Sequence, residues 1–246
     1  MCGDVAEGET LILGGMTPEK ELGIFKQTKG PTSFNFWKLG IDPRVALFCR
    51  TAIDLTGKQT EPGGIPKPSM DRDGDMSDNQ QLQFGMKKMK EKEGYYVVDS
   101  PNSKLLTGFS EELNSDDVKL QVQWNKTRLG WATISVVSMT GNGFDPAKAG
   151  SEPIRILVTA TGLMQNTDMV LEKLDGTKIT VGNRWGKEPV LCEGIPLSLR
   201  FDKAKSLTCY PLDENGNRRD VIKTNGNTVE LGPQYKTIWY ELELRQ

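Results

Sequence analysis

Short runs in which apolar and polar residues alternate recur along almost the whole chain, and this pattern restricts the fold more than any other feature. The runs are rich in Val, Ile, Leu, Thr and aromatic residues and lie about ten residues apart, which is typical of β-strands. Asp-Gly or Asn-Gly pairs, which favour tight hairpins, stand between them at residues 175–176, 215–216 and 225–226. We therefore predict an all-β fold of antiparallel β-sandwiches, of the jelly-roll or immunoglobulin-like kind.

The individual strands can be assigned from the same alternation. Helical periodicity is almost missing, and the best candidate for a helix is the Lys/Glu-rich stretch 86–93, with a loop as the alternative. The predicted strands are 10–13, 45–55, 81–84, 95–99, 105–109, 118–124, 131–139, 154–161, 169–174, 178–181, 189–192, 197–201, 206–212, 220–223, 228–231 and 237–244.

Two stretches interrupt the strand pattern of this 246-residue chain, which is long enough for one large β-domain or two of ordinary size. Residues 60–78 are rich in Pro, Gly and Asp and predict a long exposed loop. Residues 141–153 carry Gly, Asn, Asp and Pro with few apolar side chains, and we place a domain boundary there. This predicts two packed β-domains, a β-sandwich over residues 1–150 and an immunoglobulin-like β-sandwich over residues 151–246.

Histidine is absent from the chain. Its absence removes the commonest general base, the commonest metal ligand and every Ser-His or Cys-His nucleophilic system. The charge is nearly balanced, with 31 basic against 33 acidic residues, and supplies no basic field for nucleic acid or an anionic membrane surface. No apolar run approaches the roughly 18 residues of a membrane-spanning helix. We therefore expect neither a nucleic-acid partner nor a membrane partner.

Acidic residues cluster in several predicted turns. Adjacent carboxylates at 111–112, 116–117 and 213–214 are candidate pairs for a small glycosidase, but nothing predicts the burial that raises the pKa of a general acid. A further cluster is a candidate calcium site, because closely spaced oxygen ligands suit this cation; its members are Asp71, Asp73, Asp75 and Asp78. Their spacing departs from that of an EF-hand loop, and a solvated acidic loop is the alternative.

The loop around Trp185 is the first candidate for ligand binding, because sugar rings stack on flat aromatic faces. Its neighbours Asn183, Arg184 and Lys187 carry side chains that can form hydrogen bonds with sugar hydroxyls. The same indole can instead fill a seam between two domains, and the sequence favours neither role over the other.

Two other tryptophans are informative. Trp124 stands at the end of a predicted strand, before polar residues, and is the second candidate for a sugar platform. Trp239 and Tyr240 are adjacent within a strand, so their side chains point to opposite faces and one of them is expected in the core.

A series of motifs runs through most of the chain: YVVDSP at 96–101, GF at 108–109, the run 131–139, RILVTATG at 155–162, NTDM at 166–169, VGNRWG at 181–186 and KTIWYE at 236–241. In this order they resemble the C-terminal β-region that follows the catalytic barrel in large bacterial glycoside hydrolases. In such enzymes the two catalytic acids lie on the barrel. The resemblance therefore implies an accessory role, either binding polysaccharide or bracing the barrel, and it transfers no catalytic residue.

We therefore expect a non-catalytic carbohydrate-binding or accessory module of a polysaccharide-degrading glycoside hydrolase. Its partners would be a polysaccharide or oligosaccharide and the catalytic domain, and apart from calcium no cofactor is expected. Two alternatives stay open, namely a structural β-domain that docks on a catalytic barrel without binding glycan, and a small carboxylate-dependent glycosidase. The N-terminus lacks the regions of a signal peptide, so a secreted or periplasmic location is expected only as part of a longer parent protein.

Overall fold

The structure is a computed structural model, and it describes residues 94–109, 111–174 and 179–246 in full. Earlier in the chain it describes the backbone of four strands between residues 10 and 90, together with residues 17, 19, 22, 23 and 26. Across this described part, no helix is long and apolar enough to cross a membrane.

β-Strands are the main secondary structure of the described residues, and we number them in chain order. They are β1 (Thr10–Leu13), β2 (Arg50–Ile53), β3 (Gln80–Leu82), β4 (Gly85–Lys90), β5 (Tyr95–Asp99), β6 (Ser103–Phe109), β7 (Leu113–Asn114), β8 (Val118–Val122), β9 (Trp131–Ser138), β10 (Ile154–Thr161), β11 (Met164–Thr167), β12 (Glu172–Lys173), β13 (Ile179–Thr180), β14 (Lys187–Cys192), β15 (Leu197–Phe201), β16 (Ser206–Pro211), β17 (Thr228–Leu231) and β18 (Trp239–Arg245). Three-residue 3₁₀ turns occur at Trp124–Lys126, Pro146–Lys148 and Pro233–Tyr235.

The chain forms two compact units. The smaller unit contains β1 and β2, which pair in parallel with Thr10 opposite Arg50. The larger unit contains every strand from β3 onward. The candidate binding residues Trp124, Trp185 and Trp239 all belong to the larger unit.

Two antiparallel sheets enclose the core of the larger unit. One has eight strands in the order β16-β18-β10-β9-β6-β5-β4-β3, and the other has four in the order β17-β15-β8-β7. Because side chains alternate between the faces of a strand, every second residue of β8 and β9 is buried. One hydrophobic cluster joins Leu106, Ile134 and Ile156 of the first sheet with Leu120 and Leu199 of the second. This arrangement confirms the predicted all-β fold with an antiparallel sandwich.

The boundary predicted near residue 150 does not separate two compact units. β9 and β10 lie on either side of it and pair along their length, with Ile156 opposite Ser138 and Thr161 opposite Thr133. Residues 141–153 connect these two neighbouring strands. A surface loop and a linker between domains share the same Gly, Asn, Asp and Pro composition, so composition alone could not distinguish them.

The stretch 86–93, considered above as a short helix or a loop, instead contributes strand β4. β4 pairs with β5 in antiparallel register, with Met86 opposite Asp99 and Lys90 opposite Tyr95. Lys and Met are good helix formers, but their intrinsic preference is weak beside the backbone hydrogen bonds that a neighbouring strand supplies.

The two predicted Asn-Gly turns are formed, and the strands on either side of the Asp-Gly pair lie next to each other. β12 and β13 pair antiparallel with Glu172 opposite Thr180, and the Asp-Gly pair itself lies outside the described residues. At the first Asn-Gly pair, the backbone N–H of Asp213 donates to the carbonyl of Asn217 at 2.9 Å. The second Asn-Gly pair is closed by an isolated antiparallel bridge.

Three short elements differ from the strand prediction. Residues 220–223 form only an isolated bridge, between Ile222 and Cys209. β7 and β11 were not predicted, because β7 has two residues and β11 has the polar sequence MQNT. Neither has the alternation of apolar and polar residues on which the prediction depends.

Candidate functional site

Residues 163–193 form an extension that leaves the sandwich after β10 and returns before β15, and we call this extension the arm. It consists of two antiparallel strand pairs, β11 with β14 and β12 with β13. At its base the Glu193 N–H donates to the Leu163 carbonyl at 2.8 Å. The Glu193 carboxylate accepts hydrogen bonds from the backbone N–H groups of Leu163 at 3.1 Å and Arg128 at 2.5 Å. One side chain thus ties both ends of the arm to the body of the sandwich.

The structure places four of the predicted sugar-binding residues together, on or beside the loop that joins β13 to β14. They are Asn183, Arg184, Trp185 and Lys187. The Trp185 indole stands largely in solvent, with the residue 62% exposed. Its backbone is fixed, because the Trp185 carbonyl accepts a hydrogen bond from Asn166 Nδ2 at 2.9 Å. An exposed aromatic side chain on an anchored backbone is suited to contact a ligand or a partner.

The two cations of this loop are engaged by acids of the arm itself. Arg184 forms an ion pair with Glu172, and Lys187 Nζ lies 2.8 Å from Asp168 Oδ2. All four side chains are exposed, and each cation keeps further N–H groups that can donate to a ligand. The charges of the loop are therefore balanced within the arm.

Trp124, the second predicted platform, lies on a different element, the 3₁₀ turn that follows β8. Its half-buried ring packs against the hydrophobic core. The indole Nε1–H donates to the carbonyl of Glu111 at 3.1 Å. Much of this side chain therefore stabilises the sandwich, and the structure does not bring it into the loop that carries Trp185.

The backbone of this loop leaves no room for a side chain at Gly186, and the first prediction follows from this. Its φ is +75°, and a Cβ added there would lie 2.2 Å from the Thr167 carbonyl oxygen. We expect Gly186→Ala to destabilise the loop by about 1–3 kcal/mol and to accelerate amide hydrogen exchange across the arm. Gly182→Ala is the matched control, because its φ is also positive at +54° but nothing lies within 4 Å of the added Cβ. Equal exchange in both variants would contradict the prediction.

An open groove of about 540 Å³ lies between the base of the arm and the start of β18, and we call it the Trp239 groove. This volume falls in the usual range for small-ligand sites. The groove is lined on its apolar side by Val190, Leu191 and Trp239, and on its polar side by Asp213, Arg219 and Lys236. Trp239 is 38% exposed. Its neighbour Tyr240 is buried in the core, which confirms that one of these two rings is a core residue.

Asp213 is bound tightly by its own turn. Its Oδ1 accepts hydrogen bonds from the backbone N–H groups of Asn215 at 2.9 Å and Asn217 at 2.7 Å, and its Oδ2 accepts one from Asn217 Nδ2 at 2.9 Å. These bonds, the side-chain bond from Asn217 first, hold the pKa of Asp213 below its ordinary value. A general acid in a glycosidase needs a raised pKa, so this carboxyl group is poorly suited to that role.

Two cations at the groove keep hydrogen-bond donors available. Lys236 follows the 3₁₀ turn in a left-handed conformation, with φ at +49°, and its backbone N–H donates to the Pro233 carbonyl at 3.1 Å. Arg219 donates one Nη2 hydrogen bond to the Tyr235 carbonyl at 2.6 Å. Within the described part of the chain, neither cation has a salt-bridge partner.

The other candidate carboxylate pairs serve local contacts. Asp117 lies 3.0 Å from the ammonium of Lys104, and Glu112 accepts a hydrogen bond of 3.5 Å from Gln121 Nε2. These carboxylates are thus engaged by side chains of the sandwich itself.

The predicted calcium ligands Asp71, Asp73, Asp75 and Asp78 lie outside the described residues, and calcium binding there stays a prediction. Among the residues that the structure does describe, no group of three or more side chains of the kinds that bind metals is close enough to hold a metal ion.

The Trp239 groove was not predicted from the sequence, because its walls come from segments near residues 190, 213, 219 and 236–239. One wall of the groove could have been predicted. Residues 239 and 240 are adjacent aromatic residues in a strand, so one of the two rings must lie outside the core. An aromatic ring exposed on an apolar strand is a candidate ligand contact.

No known protein family, curated protein or solved structure matches the chain. Function must therefore be inferred from the geometry of the arm and the Trp239 groove.

Proposed function

We propose that the chain is a non-catalytic carbohydrate-binding accessory module of a polysaccharide-degrading glycoside hydrolase, and that a sugar ring stacks on Trp239. The observation that carries this proposal is a partly exposed indole in an open groove that also holds two cations without salt-bridge partners among the described residues. Small-ligand sites typically combine apolar or aromatic surface with a few convergent polar groups. The resemblance to the C-terminal β-region of glycoside hydrolases supports the accessory role.

Each groove residue has a role in this proposal. The face of the Trp239 indole would pack against the C–H groups of a sugar ring, while Lys236 and Arg219 would donate hydrogen bonds to its hydroxyl oxygens. Affinity would be modest, because removing hydroxyls and cations from water offsets much of what each new hydrogen bond contributes.

The Trp185 loop is the second candidate platform for the same function. Trp185 is more exposed than Trp239, and Asn183, Arg184 and Lys187 surround it in sequence. Trp239 is the better candidate because it lines a concave surface, which can contact a sugar on more than one side.

Affinity electrophoresis of the full chain through gels that contain a panel of polysaccharides tests the proposal. We expect retardation by at least one glycan, and we expect Trp239→Ala to reduce the apparent affinity roughly two- to thirteenfold, because stacking on one aromatic ring contributes about 0.5–1.5 kcal/mol beyond its area burial. Trp185→Ala serves as the matched control, since it removes a more exposed indole outside the groove. Circular dichroism verifies that both variants keep their β-structure.

The other outcomes distinguish the alternatives. Loss of retardation in Trp185→Ala alone would place the platform on the arm. Retardation by no glycan would contradict the carbohydrate-binding proposal and favour a structural module that braces a catalytic domain. Release of reducing sugar by the chain, abolished when a carboxylate such as Asp213 is replaced by asparagine, would favour the small glycosidase.

A further inference from the structure

The chain contains three Asn-Gly pairs, and the structure places them in different hydrogen-bond environments. The pairs are Asn142-Gly143, Asn215-Gly216 and Asn225-Gly226. All three asparagines are exposed. None of their side-chain amides forms a hydrogen bond within the described part of the chain. Exposure and side-chain contacts therefore give no reason for the three pairs to react differently.

An Asn-Gly pair deamidates without an enzyme, and the reactive atom is the main-chain nitrogen of the glycine. This nitrogen loses its proton and attacks the side-chain carbonyl carbon of the asparagine. The new C–N bond closes a succinimide ring, and the side-chain nitrogen takes up a proton and leaves as ammonia. One water molecule then opens the ring at either carbonyl, which gives aspartate or isoaspartate. Glycine favours the attack because it has no Cβ to obstruct it.

Two of the three glycine nitrogens are engaged in the fold. The Gly143 N–H donates to Asn102 Oδ1 at 2.7 Å, and the Gly216 N–H donates to the Asp213 carbonyl at 3.1 Å. An amide held in a hydrogen bond gives up its proton only after the bond opens, and the same opening must precede the attack. A hydrogen bond of ordinary net strength therefore slows these two reactions by roughly two- to thirteenfold.

The third glycine nitrogen is not protected in this way. Gly226 is exposed, its φ is +58°, and no described residue accepts a hydrogen bond from its N–H. The turn is closed by other groups. The Asn225 N–H donates to the Thr228 carbonyl at 2.9 Å, and the Thr228 N–H donates to the Asn225 carbonyl at 3.0 Å. The Gly226 carbonyl accepts from the Leu207 N–H at 3.1 Å. The fold thus holds the turn and leaves its reactive nitrogen without an acceptor.

We propose that Asn225 is the preferred site of spontaneous deamidation in this chain. Each event replaces a neutral amide with a carboxylate and so adds one negative charge to the surface. Isoaspartate also lengthens the main chain by one methylene group inside the turn that the two Asn225–Thr228 hydrogen bonds close. This turn leads directly into β17, whose Val229 and Leu231 side chains are buried in the core. The inference does not depend on whether the Trp239 groove binds a sugar.

Peptide mapping of the full chain by mass spectrometry, during incubation at mildly alkaline pH, tests the proposal. Cleavage after Lys and Arg by trypsin puts each pair into a peptide of its own, residues 129–148, 206–218 and 224–236. Each conversion changes the peptide mass by the difference between –NH₂ and –OH, and fragment spectra identify the residue. We expect Asn225 to convert roughly two- to thirteenfold faster than Asn142 and Asn215. Conversion of either of these at the rate of Asn225 or above would overturn the proposal.

Two controls separate the effect of the fold from that of the dipeptide. In concentrated urea the hydrogen bonds of the fold are lost, so the three pairs should convert at similar rates. A preference for Asn225 that persists there would show that the fold does not cause it. Asn102→Ala removes the acceptor of the Gly143 N–H, and it should accelerate conversion of Asn142 roughly two- to thirteenfold while Asn225 keeps its rate. An unchanged rate at Asn142, in a variant with the circular dichroism of the wild type, would contradict the protection on which the proposal depends.

Discussion

Replacing Lys104 with methionine is expected to lower the free energy of unfolding by about 3 kcal/mol and the melting temperature by roughly 6–12 °C. Lys104 is on β6, in phase with the core residue Leu106, and its side chain is 4% exposed. Its Nζ lies 2.5 Å from Asp99 Oδ1 and 3.0 Å from Asp117 Oδ1. It also donates to the Ser100 carbonyl at 2.9 Å.

The loss is large because two carboxylates depend on this one ammonium. Without Lys104, Asp99 and Asp117 would face each other at a site where they are only 25% and 16% exposed. Removing one partner of a buried ion pair typically costs 3–5 kcal/mol, since the remaining charge stays poorly solvated. The partial exposure of both carboxylates places the expected loss at the lower end of that range. The Phe144 ring, 5.1 Å from Nζ, adds a cation–π contact.

Urea denaturation measures the effect, and an exposed pair in the same chain is the control. Lys187→Met removes an ammonium that lies 2.8 Å from Asp168, but these side chains are 71% and 66% exposed. The control is expected to change the free energy of unfolding by less than about 1 kcal/mol. The double variant Lys104→Met/Asp117→Asn lacks one of the two carboxylates. It should therefore recover part of the free energy of unfolding that Lys104→Met loses. A loss in Lys104→Met no larger than that in Lys187→Met would contradict the prediction.

Lys104 also illustrates which parts of this fold can be read from the sequence. The alternation of apolar residues placed the strands 154–161, 197–201 and 228–231 at their observed bounds, because one buried face imposes a period of two. The alternation could not predict a lysine in phase with the buried face, which is tolerated only because two aspartates meet it there. Those aspartates come from separate strand ends, so their proximity is a property of the tertiary structure.

The candidate site also has one part that the sequence could predict and one part that only the tertiary structure reveals. The exposed Trp185 and its neighbours could be proposed from the sequence because they are consecutive residues in one polar loop. The Trp239 groove could not, since its polar side comes from a turn near 213, a loop residue at 219 and the 3₁₀ turn before β18.

Glu241 carries the second large prediction, because its buried carboxylate is held by two arginines. It is 6% exposed on β18. Its Oε1 accepts hydrogen bonds from Arg155 Nε at 2.6 Å and Arg218 Nη2 at 2.7 Å, and its Oε2 accepts one from Arg218 Nε at 3.0 Å. These contacts, Arg218 first, lower the pKa of Glu241 from 4.5 to about 2, although burial opposes the change.

This depressed pKa fixes how stability depends on pH. The charged carboxylate is bound more tightly in the folded chain, so its contribution of about 3 kcal/mol is fully present above pH 4.5 and is lost as the pH falls towards 2. We expect Glu241→Gln to lower the free energy of unfolding by about that amount at pH 7. The difference between wild type and variant should shrink between pH 5 and pH 2, where protonation removes the same charge from the wild type.

Urea denaturation at several pH values separates this carboxylate from the other acids of the chain. Glu230→Gln is the control, because Glu230 is exposed on β17 and no described side chain forms a salt bridge with it. This variant should keep both the stability at pH 7 and the wild-type loss of stability in acid. A Glu241→Gln variant whose stability declines in acid as steeply as that of the wild type would show that the arginines do not hold this carboxylate. With the expected result, the Arg155–Glu241–Arg218 contact is a stabilising element on the eight-stranded sheet that acts fully above about pH 4.5 and is lost as the pH falls towards 2.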